Sequence, residues 1–242
     1  MNKLEHTIVG DVVAADFRAA SVFERFGIDF CCGGRRSVAE ACRTAAVSPE
    51  AVEDALQALS DSTAAGPDAA ADWPLDRLID HIVATHHGYV RTALPAITGF
   101  LAKLVSVHGE RHPELARVAR GFDKLRQDFE QHLVKEERVL FPYIRTLAVD
   151  PRGPEPRHQS PFGSVENPIR MMEREHRDAA DDLREIRELT NGYTAPEDGC
   201  ATYRACMNEL ARFESDLHRH VHLENNVLFP RAVTLEASLV HG

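Results

Sequence analysis

Apolar positions in the last two-thirds of the chain recur with the period of a helix face: Leu115, Val118, Phe122, Leu125 and Phe129 advance by threes and fours. The pattern predicts four long helices, over residues 75 to about 107, 114 to about 148, 168 to about 190 and 198 to about 237. The breaks between them are 108–113, 150–163 with four prolines, and 191–199, which suits antiparallel neighbours. Pro95 and Gly99 should kink the first helix, while Pro142 and Pro230 lie within the second and fourth.

The N-terminal part has a shorter rhythm, with helices predicted over 9–17, 19–26, 38–45 and 49–59. Ser37 and Glu40 have the spacing of a capping box. Ser48 before Pro49 places a capping side chain ahead of a proline at the first helical position. Residues 61–72 are small and polar, are punctuated by Gly66 and Pro67, and read as a linker. The expected organisation is all-α: a small helical domain over 1–60, a linker over 61–72, and an antiparallel four-helix bundle over 73–242.

The candidate chemistry sits on those long helices as a doubled set. His132, Glu136 and Leu140-Phe141-Pro142 recur 88 residues later as His220, Glu224 and Leu228-Phe229-Pro230. Upstream, His87 precedes His132 by 45 residues and His176 precedes His220 by 44. Residues i and i+4 share a helix face, so each His-x-x-x-Glu presents an imidazole beside a carboxylate. A carboxylate can bridge two cations, whereas an imidazole gives one nitrogen to one. Four histidines and two bridging glutamates, divided one, two, one, two among the helices, therefore suit two metal ions with an oxo or hydroxo bridge and an open position. Mixed imidazole and carboxylate ligation suits iron or manganese better than a thiolate-loving structural zinc, although zinc takes these donors too.

Single His-x-x-x-Glu matches are common on solvated helices in a chain with 13 histidines, and it is the repeat that raises this one above chance. His86 and His87 are about 100° apart on a helix, so one of them faces the site, and the spacing favours His87. Of His218, His220 and His222, only His220 has a glutamate four residues on, since Asn226 follows His222 at that distance. Glu136 is preferred to Glu137 by the same test. Glu173 and His176 have the Glu-x-x-His spacing of ferritin-like bundles, but no second copy exists on a long helix, so Glu173 reads as a surface or supporting residue. His81, His108, His112, His158 and His241 read the same way.

Net charge changes the picture of partners. At −10, the chain lacks the clustered cations of a phosphate-backbone binder, and nucleic acid is not an expected partner. The N-terminus has no uninterrupted apolar core of a secretory signal, and no run reads as long enough to span a bilayer. Five cysteines without a disulfide framework fit a reducing cytoplasm. Cys31 and Cys32 lie in the glycine loop Gly27-Ile-Asp-Phe-Cys-Cys-Gly-Gly34, before Arg35, Arg36 and the start of a helix. Cations and a helix N-terminus both favour thiolate, so a reactive pair is expected there. Cys42, Cys200 and Cys206 read as structural.

That loop, followed by His220-Val-His-Leu-Glu224-Asn-Asn-Val-Leu-Phe-Pro230, closely resembles the di-iron proteins for repair of iron centres, over nearly the whole chain. The resemblance implies a hemerythrin-like bundle with a non-haem di-iron centre and a role in restoring iron-sulfur clusters damaged by nitric oxide or oxidants. By motif match, His87, His132, His176 and His220 are terminal ligands, Glu136 and Glu224 are bridges, and Cys31 and Cys32 are redox or iron-transfer thiols. The implied partners are damaged iron-sulfur proteins or cluster-assembly proteins, with nitric oxide or dioxygen as small ligands, no membrane, and a homodimer as one assembly open to the chain. Nitric oxide reduction to nitrous oxide, and sensing of dioxygen or nitric oxide, are rival readings of the same ligands.

Overall fold

The computed structural model describes residues 6–60, 70–148 and 162–241. The described chain is all-α and divides into two compact units. One gathers the described residues of Met1–Ile79, Leu147–Val165 and His218–Gly242; the other gathers Asp80–Thr146 and Glu166–Leu217. Position 61–69 of the expected linker lies outside the described residues, and Ala70–Asp72 forms a turn of 3₁₀ helix.

In the first unit the N-terminal helices are α1 (Val9–Ala15), α2 (Ala19–Arg25), α3 (Val38–Ala45) and α4 (Pro49–Ser60). The capping box forms as its spacing predicts: the Glu40 amide donates to Ser37 Oγ at 3.2 Å, and the Ser37 amide donates to Glu40 Oε2 at 3.0 Å. Val9, Val13, Phe23, Phe30, Val38, Cys42 and Val52 are buried, so short helices that cannot stand alone share one small core. Backbone bonds from Gly10 N to Gly34 O (2.8 Å) and Val9 N to Arg36 O (3.0 Å) hold the cysteine loop against α1. A Cβ at Gly34 would come within 2.5 Å of Asn226 Oδ1 and of Phe30 O, so only glycine allows that approach. The C-terminal helix α11 (Phe229–His241) belongs to the same unit, and Arg231 donates to the Trp73 carbonyl at 2.7 Å.

The second unit takes in the end of α5 (Leu75–His81) from Asp80 onward, α6 (Gly88–His108), α7 (Glu114–Lys135), α8 (Phe141–Ala148) as far as Thr146, α9 (Glu166–Leu189), and α10 (Ala201–His222) as far as Leu217. Side-chain pairs fix an antiparallel register. Along α7 and α9, Arg117 meets Glu185, Lys124 meets Asp182 and His132 meets Glu175, rising on one helix while falling on the other. Between α6 and α10, Tyr89 donates to Glu209 and, farther along, His108 meets Cys200. The core between them includes Leu94, Ile97, Leu101, Leu104, Phe122 and Phe213, with the last two rings edge to face at 5.7 Å. Pro95 is carried inside α6, which runs unbroken from Gly88 to His108.

One expectation is corrected. The stretch Leu75–His108 is helical, and by length and composition it is apolar enough to cross a membrane. It also carries core positions and a charged pair: Leu94, Ile97, Leu101 and Leu104 are buried, and Arg91 pairs with Glu137. Phe122→Ala is expected to lower unfolding free energy by about 3–5 kcal/mol, because the ring is fully buried and its removal leaves a cavity. Urea denaturation followed by circular dichroism measures this.

Candidate metal centre

Three of the long helices are interrupted by π-helical turns, and each interruption carries a predicted ligand. Ile82–His87 ends on His87, Glu136–Leu140 begins on Glu136, and Leu223–Leu228 contains Glu224. A π turn widens the helix by a residue and is found mostly at functional positions. It also shifts the buried stripe. Adjacent positions are buried together at these turns: His86 and His87, Leu140 and Phe141, and Leu223, Glu224 and Asn225. In α9, which has no π turn, the buried positions 169, 172, 176, 179, 183 and 186 alternate strictly between threes and fours.

In the second unit His87, His132, Glu136 and His176 converge, all essentially without exposed surface. His87 Nε2 lies 3.4 Å from Glu136 Oε2, and His132 Nε2 lies 3.3 Å from Glu136 Oε1. The two carboxylate oxygens are thus divided between two imidazoles, as a bridging ligand requires. His176 Nε2 lies 3.0 Å from His132 Nε2.

The outer nitrogens explain which lone pairs point inward. His87 Nδ1 meets Glu137 Oε1 at 2.6 Å, and His132 Nδ1 meets Glu175 Oε2 at 2.9 Å. An ionised carboxylate only accepts, so each Nδ1 carries the proton and each Nε2 presents its lone pair to Glu136. Burial raises Glu175, but hydrogen bonds from His132 and Lys135 outweigh it and bring the carboxyl down to about 2. Glu137 is likewise held below its ordinary value against burial by His87 and Arg91. Imidazole and carboxylate lone pairs facing one another in a buried space are the donor set of a bound cation, and these residues fit iron.

In the other unit His220 Nε2 lies 2.9 Å from Glu224 Oε1, both fully buried. The same helix holds the cysteine loop. Asn226 Nδ2 donates to the carbonyls of Cys31 (3.0 Å) and Phe30 (3.2 Å), and Asn225 Nδ2 donates to Cys31 O at 3.4 Å. His222 is buried between Phe17 and Phe30, and its Nδ1 accepts from Asn226 at 3.2 Å. Burial is the main reason that it stays neutral down to about pH 4.

At the loop itself, Asp29 Oδ1 accepts the Cys31 and Cys32 amides and lies 3.3 Å from Cys31 Sγ. The depressed thiol expected at Cys31 is not what the loop builds. A hydrogen bond with Cys32, then burial, then the nearby negative charge of Cys32 and Asp29 push Cys31 well above the ordinary thiol value. The helix that follows spends its N-terminus on Ser37 and Glu40, and Arg36 turns to the Gly33 carbonyl. A second correction concerns Cys200. It is exposed, its Sγ lies 3.3 Å from His108 Nε2, and that bond and the amides of Tyr203 and Thr202 bring the thiol down to about 7.

Of the histidines set aside, His86 is buried against Asp216 at 3.0 Å, His218 meets Glu24, and His112 meets Glu114 and Asp198. His158 lies outside the described residues. The residues missed by sequence reasoning are Glu137, Glu175, Asn225 and Asn226. A signal existed for two of them: Glu137 follows a predicted bridge, and Asn226 stands four residues after His222, where a His-x-x-x-Glu pair would need its carboxylate.

Comparison with known proteins agrees with this arrangement. Residues 78–232 match the model of the hemerythrin HHE cation binding domain, and residues 5–60 match ScdA_N, a domain of unknown function. The iron-sulfur cluster repair protein YtfE of Pectobacterium atrosepticum is 35% identical over 93% of this chain and 96% of its own. The protein of the same name from Edwardsiella ictaluri is 36% identical over 93% and 96%. A probable iron-sulfur cluster repair protein of Haemophilus influenzae is 33% identical over 89% and 91%.

Glu137→Ala and Glu175→Ala are each expected to weaken iron binding by about 10–100-fold, the usual effect of removing a carboxylate that orients a ligand histidine. Glu173→Ala serves as the control. Competition with a coloured chelator measures this, and unchanged affinity in both variants would remove the orienting role.

Proposed function

The chain belongs to the family of iron-sulfur cluster repair proteins with a hemerythrin HHE cation binding domain, and from that premise we propose that it is a di-iron protein restoring iron-sulfur clusters damaged by nitric oxide or oxidants. The observation that carries this reading is Glu136, a buried carboxylate with one imidazole at each oxygen. We take His87, His132, His176 and His220 as terminal ligands and Glu136 and Glu224 as bridges. The 88-residue repeat and the domain match from 78 to 232 support counting the two sets as one centre.

Bound iron would supply a redox couple and a coordination position for a small ligand such as nitric oxide. The protein's own residues do the rest. Glu137 and Glu175 hold Nδ1 protons outward and so keep His87 and His132 as neutral nitrogen donors. Leu140, Phe141 and Ile144 are buried in the same unit and exclude water from its interior. With only two carboxylates against four imidazoles, the centre binds iron less tightly than a carboxylate-rich storage site, which suits donation. Asp29 Oδ, Cys31 Sγ and Cys32 Sγ lie within 4.8 Å of one another, and this grouping supports a part for the two thiols in electron or iron transfer. The clients are damaged iron-sulfur or cluster-assembly proteins, and five free thiols favour the cytoplasm.

The test is reconstitution. Wild type should take up about two irons per chain and restore activity to a nitric-oxide-treated iron-sulfur enzyme. Glu136→Ala and Glu224→Ala should lose iron and the optical bands of the centre. Unchanged iron in both variants overturns the ligand assignment. Steady production of nitrous oxide with an electron donor, without recovery of the client enzyme, would favour the reductase reading.

A further inference from the structure

At the opposite end of α6 from His87, about 30 Å along the helix, a second group of reactive side chains has no part in the proposed centre. Cys200 stands immediately before α10 with its sulfur exposed, and His108, which is 4% exposed, approaches it through Nε2 at 3.3 Å. Arg111 Nη2 lies 3.2 Å from the other nitrogen, His108 Nδ1. A guanidinium only donates, so Nδ1 accepts and the imidazole proton sits on Nε2, aimed at the sulfur. The ring is locked in that orientation by Tyr203, at 5.5 Å edge to face, and by His112 at 6.3 Å.

The geometry points to Cys200, assisted by His108 and Arg111, as a site of reversible S-thiolation: its thiolate exchanges with small disulfides to form a mixed disulfide. In the exchange the Cys200 sulfur attacks one sulfur of the disulfide, a new S–S bond forms as the old one breaks, and the second half leaves as a thiolate. Electrons balance within the pair, with Cys200 oxidised and the disulfide reduced. No resolving cysteine is needed, because the product is held until an external thiol reverses it.

Three observations support the assignment besides the exposed sulfur. The thiolate receives a proton donor from His108 and the amides of Thr202 and Tyr203 at the start of a 22-residue helix. These bring the thiol to about 7, near the ambient pH at which exchange is fastest. About half is then thiolate at pH 7, against about 3% for an ordinary thiol. The charged and titratable groups around it include His108, Arg111, His112, Glu114, Asp198, Tyr203 and Arg204, with Arg111 and His112 both paired to Asp198 and Arg204 donating to the Gly199 carbonyl at 2.6 Å. The other cysteines with resolved shifts, Cys31, Cys42 and Cys206, are raised rather than lowered, each in part by burial.

The experiment treats the folded, iron-loaded protein with oxidised glutathione and maps adducts by intact and peptide mass spectrometry across pH 5.5–9.5. One adduct is expected, on Cys200, with a half-maximal rate near pH 7. It should be absent from Cys200→Ser and retained in the Cys31→Ser/Cys32→Ser double variant. His108→Phe keeps a ring beside Tyr203 and removes the donor, and should move the midpoint up by about one pH unit and slow the pH 7 reaction several-fold. First modification at another cysteine overturns the proposal, and so does a Cys200 midpoint of 8.5 or above. A profile unaltered by His108→Phe overturns the role of His108. Iron content is read in parallel, so loss of the metal centre is scored separately from loss of the thiol chemistry.

Discussion

Glu136 has no exposed surface, and each of its two oxygens is met by a different imidazole. An ionised carboxylate in such a place costs several kcal/mol unless charge of the opposite sign is near. The surrounding residues are arranged so that no proton supplies that charge, because Glu137 and Glu175 have drawn the imidazole protons to the far nitrogens. Arg91 and Lys135 complete the outer layer by neutralising those two carboxylates at the surface. The helices that carry His87, His132 and His176 are thus tied together through a polar core that would destabilise an ordinary bundle.

What could be read from the chain was whatever is local or repeated. The capping box at Ser37, the long helices, their breaks and the doubled His-x-x-x-Glu all depend on residues within a few positions or on an exact recurrence. What could not be read depends on folding back. Glu175 reaches His132 from another helix, Asn226 reaches the Cys31 carbonyl across 195 residues, and Cys200 meets His108 across 92. The thiol of Cys31 shows the same limit in reverse. Nearby arginines and a helix start were visible in the sequence, but Arg36 bonds the Gly33 carbonyl, the helix start is capped by Ser37 and Glu40, and a second thiol with burial decides the outcome.

Besides its backbone bonds to α1, the N-terminal loop is positioned by two asparagine amides, a buried neutral histidine between two phenylalanines, and a glycine that leaves room for Asn226. All four contacts depend on the segment that also holds Glu224. A change in the backbone around that glutamate is thus felt first at the carbonyl of Cys31, through direct hydrogen bonds and without any long relay.

The π turns have a consequence for length. Each holds one residue more than an α turn, so three of the helices carry a single surplus residue where they offer a ligand, and α9 carries none. Deleting that residue would let the helix close into a regular coil while the faces before and after it kept their packing. Seen this way the centre is written into the chain as three one-residue insertions, and a bundle of this kind can lose its metal chemistry by deletion without losing its shape.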